Sequence, residues 1–182
     1  MNMKNNPMLG AFTVRIFIIL SITAPGSCEW MGSTCVPNGV ELYLLESYET
    51  VESTCQIDQS TAELQKDPLI KYADFLSYDS CTHIFKLSED AKKAIENMEH
   101  AVDGVAFGVT ADDELIYTGY FWPAYSSLIC NWICIDPLRV NQGNELRVGL
   151  GYPVMMEGWE IPDKRNDPRI LKIFKEDGKL VE

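Results

Sequence analysis

Cys81-Thr82-His83 sets a nucleophile and a possible base two residues apart, the first place in the chain to look for thiol or acid–base chemistry. On a strand both side chains would leave the same face with about 7 Å between Cα atoms. A catalytic Cys–His pair normally joins distant parts of a chain, so the expectation is a disulfide cysteine beside a surface histidine. With Cys130 and Cys134 added, the set imitates zinc spacing. Trp132 and Ile133 favour a strand, however, which would hold those two cysteines about 13 Å apart, beyond the Cα reach of a disulfide. Asp112-Asp113-Glu114 is acidic enough to suggest calcium, but no Asp-x-Asp-x-Asp-Gly loop accompanies it, and it reads as a solvated turn. The sequence contains no phosphate loop, Gly-x-Ser-x-Gly turn or His-Glu-x-x-His helix, and its histidines are His83 and His100. These patterns assign no catalytic residue, metal ligand or cofactor.

Tyr117-Thr118-Gly119-Tyr120-Phe121-Trp122-Pro123-Ala124-Tyr125 is the most unusual stretch, with five aromatics in nine residues. That exceeds what one face of one strand needs, so some rings belong in a core and others can form an exposed platform. Tyr120, Phe121, Trp122 and Tyr125 are the candidate binding residues. An aromatic patch of this kind suits an envelope protein, a peptide or a glycan.

The chain has 182 residues, 46% of them apolar, and a net charge of −12 from 27 acids against 15 bases. The apolar share suits a packed globular domain, whereas the charge repels phosphate backbones and anionic lipid surfaces. Nucleic-acid binding is therefore not expected.

Residues 1 to 15 carry Lys4 and Arg15 and no acid. The apolar run Ile16 to Ile22 follows, and then Thr23-Ala24-Pro25-Gly26-Ser27. That order is the signal-peptide pattern, assigned to 1–27, and the run is about half the ~20 residues that span a bilayer. Two processing routes fit. Cleavage after Gly26 leaves small residues at the positions a signal peptidase reads. Alternatively, Gly26-Ser27-Cys28 resembles the end of a bacterial lipobox, although Pro25 stands where a Leu-like residue is usual, and Cys28 is then the lipidation candidate. Membrane attachment is expected only through that lipid or the uncleaved leader. An exported location permits disulfides, for which Cys35, Cys55, Cys81, Cys130 and Cys134 are the candidates; a Cys35–Cys55 clip would constrain a short loop.

Residues 28–39 read as a tether or N-terminal arm and 40–182 as one domain. Val40 to Leu45 is a strand, 46–67 a long loop, Leu69 to Leu76 a short strand or helical turn, and Ser77 to Ser80 a turn. His83 to Leu87 is a strand, and Ser88 caps a helix with Ala91, Ala94, Ile95 and Met98 inward. Val105 to Val109 and Glu114 to Tyr117 form a hairpin that can run on to Phe121. Ser127 to Ile135 and Glu145 to Leu150 are further strands. Asp167, Pro168 and Gly178 start and stop a last helix around Ile170, Leu171 and Phe174. The expected fold is α+β, a small mainly antiparallel sheet with a β-α-β-β unit and a C-terminal helix.

Thr82 to Tyr120, with Leu87-Ser88-Glu89-Asp90-Ala91-Lys92-Lys93 opening its helix, resembles the periplasmic head of the SecD translocon subunit. The likeness covers about a fifth of the chain and implies a local β-α-β-β arrangement, not translocation. Across its length the chain is similar to uncharacterised bacterial exported lipoproteins: a leader ending at a cysteine, then Phe121-Trp122-Pro123, Cys130-Asn131-Trp132 and Asp167-Pro168-Arg169. That resemblance implies an envelope location and no known reaction. The expected function is an exported or lipid-anchored envelope domain, a non-catalytic binding module. The alternatives are a hydrolase of unrecognised type, built on His83, Cys81 or a carboxylate pair, and an inhibitory or structural protein.

Overall fold

The computed structural model describes residues 39–182; the leader, Cys28, Cys35 and most of the expected N-terminal arm lie outside the described residues. Alternating apolar residues start the first strand, β1 (Val40–Ser47), with Val40 and Leu42 turned into the core. β2 (Glu63–Leu64), β3 (Phe75–Asp79) and β4 (Ile84–Leu87) follow. Helix α1 (Glu89–Asn97) begins where the Ser88 hydroxyl accepts from the Ala91 N–H, with Glu89 and Asp90 in the first turn, where the helix dipole favours anions. β5 (Val105–Ala111) and β6 (Glu114–Phe121) are joined by Asp112 and Asp113 alone, both with positive φ, as the tight hairpin turn requires. β7 (Cys130–Ile135) and β8 (Glu145–Tyr152) flank a 3-10 turn over Pro137–Gln142. The Asp167 carboxylate caps α2 (Pro168–Glu176), and β9 (Leu180–Val181) comes after it.

The strands form one nine-stranded sheet in the order β2-β1-β5-β6-β7-β8-β4-β3-β9. It is mainly antiparallel, with parallel pairs β6–β7 and β3–β9. The protein is thus mostly sheet, and the small sheet expected from the sequence is corrected. Short strands hidden in polar stretches account for the difference. β2 lies within the expected 46–67 loop, β9 follows the helix, and β3 continues through the expected turn at Ser77 because Tyr78 is fully buried against Phe85. β8 joins two ladders: its first residues pair with β4 and its later ones with β7. The chain does run β4-α1-β5-β6, but β4 pairs with β3 and β8 while β5 pairs with β1 and β6, so the strands on either side of α1 are not neighbours.

Both faces of the sheet are covered. On one, Leu42, Phe107, Val109, Phe121, Ile133 and Ile135 share a core with Ile95 of α1 and with Ile170 and Phe174 of α2. On the other, Tyr120, Trp122, Cys130, Trp132 and Cys134 pack with Leu45 and with Ile57 from the segment after β1.

Candidate functional site

This two-sided burial decides where the aromatic stretch goes. Strand alternation sends Phe121 into the main core and Tyr120 and Trp122 into the second, and all three are at most 4% exposed. Tyr120 meets Tyr48 edge-on at 6.0 Å and Trp122 at 5.9 Å. These three rings are interior packing and cannot present themselves to a macromolecule. Tyr125 is 57% exposed, so of the four candidate binding residues it alone stands on the surface.

It does not stand there unaccompanied. The segment from Pro123 to Ile129 leaves β6 and enters β7, and Cys130 pairs with Tyr152, so this segment runs beside the one that follows β8. The Tyr152 hydroxyl donates to the Ala124 carbonyl at 3.0 Å, and the Leu128 N–H donates to Ser126 Oγ at 3.2 Å. These bonds hold the loops in place while Tyr125, Leu128 and Ile129 on one, and Val154, Met155 and Met156 on the other, face solvent. Six exposed apolar side chains thus stand on two loops that the β7–β8 register sets side by side, and exposed apolar groups that gather together mark interaction surfaces. The five besides Tyr125 carry no sign of exposure in the sequence: Val154, Met155 and Met156 show no period, and Leu128 and Ile129 read as the start of the expected Ser127–Ile135 strand, which begins only at Cys130.

The cysteines fall into two environments. Cys81 is exposed on the turn after β3, and its N–H donates to the Asp79 carboxylate at 2.9 Å. Cys55, Cys130 and Cys134 lie together on the second face, and all four are free thiols. The Cys55 N–H donates to Asn131 Oδ1 at 2.8 Å and its Sγ lies 3.8 Å from the Ile129 carbonyl, which seats it over Cys130. Register between β7 and β8 slips between Cys130 and Ile133, and the Cys130 and Cys134 thiols come close enough to influence each other. Burial, with Cys130 beside it, pushes the Cys55 thiol up to about 11. Hydrogen bonding with Cys134 and then burial hold the Cys130 thiol protonated. Neutral thiols are poor nucleophiles. Although these three cysteines are neighbours, no group of three or more His, Cys, Asp or Glu side chains among the described residues is placed to hold a metal ion.

His83 is not in β4 but on the turn before it, at φ 55°. Its Nδ1 lies 3.3 Å from the Tyr78 hydroxyl, which also lies 2.8 Å from Asn166 Oδ1 and 3.0 Å from the Arg165 carbonyl. Arg165 grips Asp163 through two nitrogens, at 2.9 and 2.7 Å. Burial, and then the Arg165 cation, lower the His83 pKa below its usual range, against smaller opposing effects of Asp163, Asn166 and Asp79. The unfolded chain therefore binds this proton more readily than the folded one. Stability from this group is complete above about pH 6.5 and is lost as pH falls through the depressed folded value. Urea midpoints measured from pH 7.5 down to 5 are expected to decline, and to decline less in His83→Asn, a residue that tolerates the left-handed backbone. Equal slopes in the two proteins would rule out this group as the source.

Compared with family models, with curated proteins and with solved structures, the chain matches none of them.

Proposed function

We propose that this chain is a non-catalytic binding module of the cell envelope, exported through its leader and either released or held by a lipid on Cys28. The observation that carries the reading is the apolar patch of Tyr125, Leu128, Ile129, Val154, Met155 and Met156 on two braced loops. Leaving such a patch in water is unfavourable unless something covers it, and burying one apolar side chain is worth about 1.5–3 kcal/mol. The occupant we favour is a protein surface that is apolar at its centre and basic at its rim. The chain carries 27 acids against 15 bases, so a basic rim would be drawn to it and phosphate polymers would be repelled.

A photoreactive side chain at Leu128 in intact envelopes is expected to trap one discrete protein adduct. The same group at Leu76, exposed on β3, should give none, and Tyr125→Ser with Val154→Ser and Met155→Ser should abolish the Leu128 adduct while the domain stays folded. Equal trapping at both positions, or adducts with lipid alone, would refute the protein-partner reading.

A further inference from the structure

β8 carries Arg147 and Gly149 two residues apart, so both belong to the same face of the strand. Gly149 stands opposite Cys134 of β7, and that pairing puts the face on the side of the second core. A Cβ at Gly149 would meet nothing nearer than the Cys134 carbonyl oxygen at 3.5 Å, so the strand is open where another residue would cover it. The opening belongs to a cleft of about 360 Å³, a volume in the range of small-molecule sites. Ala124, Asp136 and Arg139 contribute to its lining from before and after β7, Tyr152 and Pro153 from the end of β8, and Arg147 and Gly151 from either side of Gly149.

The polar side chains of this lining are engaged, with one exception. The Tyr152 hydroxyl donates to the Ala124 carbonyl, and the Cys134 thiol lies 3.6 Å from the Trp132 carbonyl. The Asp136 carboxylate accepts from the Ala124 N–H at 3.3 Å and the Leu138 N–H at 3.2 Å, and it pairs with Arg139 Nε at 3.5 Å. Arg147 is the exception. Its backbone is fixed by the ladder with Ile84, its side chain is exposed, and its guanidinium makes no hydrogen bond or ion pair among the described residues. The chain has 27 acids against 15 bases, yet no carboxylate meets this cation.

We propose that this cleft binds a small organic monocarboxylate, its carboxylate accepting from the Arg147 guanidinium and its body lying over the Gly149 backbone. A guanidinium presents a planar fork of N–H donors that matches a carboxylate, and Arg139 adds a second cation at the same cleft. Two arginines against one aspartate leave the lining with a single positive charge, which a monoanion neutralises, whereas the acidity of the whole chain disfavours multiply charged anions. The site uses none of the six loop-patch side chains and stands independently of the binding role argued above.

Benzoate and benzamide test it, because they share a shape and differ in charge. Titrated into the full ¹⁵N-labelled chain at low salt, benzoate is expected to move the Gly149 amide signal and to bind about tenfold more tightly than benzamide, the discrimination that a charge-assisted hydrogen bond supplies. Arg147→Gln should abolish that preference with little change in thermal midpoint, as befits an exposed position. Lys93→Gln removes an exposed positive charge on α1 instead and should leave the preference intact. Gly149→Val, which fills the opening, should weaken both probes. The proposal fails if millimolar benzoate leaves the Gly149 signal unmoved, if the preference for benzoate survives in Arg147→Gln, or if Lys93→Gln reduces it equally.

Discussion

Phe174→Ala is expected to lower the stability of the domain by about 4 kcal/mol, the cost of deleting a buried phenyl ring together with the cavity it leaves. Phe174 is fully buried, with Tyr72, Phe75, Tyr78 and Phe85 ring centroids 5.5 to 6.2 Å away. It belongs to α2, whose exposed side offers little in exchange: Lys172 and Glu176 form an exposed pair at 3.8 Å, worth only a few tenths of a kcal/mol. Equilibrium urea unfolding should therefore show a large fall in midpoint for Phe174→Ala and almost none for Lys172→Ala. A loss under about 1 kcal/mol for the phenylalanine would mean that the helix is not held to the sheet by this ring.

Gly119→Ala is expected to be nearly as damaging, at about 3 kcal/mol, the upper end for overpacking a well-filled site. The added Cβ would come within 2.6 Å of Phe107 Cζ and 2.7 Å of the Ile133 carbonyl oxygen, and the second obstacle is backbone. Relief requires β7 to move away just where it makes its two pairs with β6. Gly149→Ala is the matched control, because its Cβ would meet the Cys134 carbonyl at an ordinary 3.5 Å. That variant should be neutral or slightly stabilising, since alanine reduces the freedom of the unfolded chain. If the two substitutions cost the same, the close approach of β6 and β7 is not a constraint on position 119.

What could be foreseen followed from local chemistry. Ser88 and Asp167 announce their helices because a side-chain oxygen before an apolar-periodic run has free N–H groups to satisfy, and both caps are present. The β5–β6 hairpin was legible for the same kind of reason: two alternating runs separated by Asp112 and Asp113, residues that tolerate positive φ. β2 and β9 have two residues each, too few for any period, and β9 pairs with β3, far earlier in the chain. The aromatic stretch was over-read because its residues were counted against one buried face. A sheet covered on both sides needs large side chains in both directions, and Phe121 and Trp122 supply one to each.

The strand order also sets a pace. Ile84 must find Arg147, and Tyr78 must find Leu180, before the β8-β4-β3-β9 half of the sheet exists. Each such meeting costs chain entropy before any contact repays it, and domains dominated by non-local pairing fold on the slow end of the range, in milliseconds to seconds. For that interval the polypeptide stays open and threadable. On the export we propose, a chain that must cross a membrane before it folds needs such an interval, and this strand order would provide it.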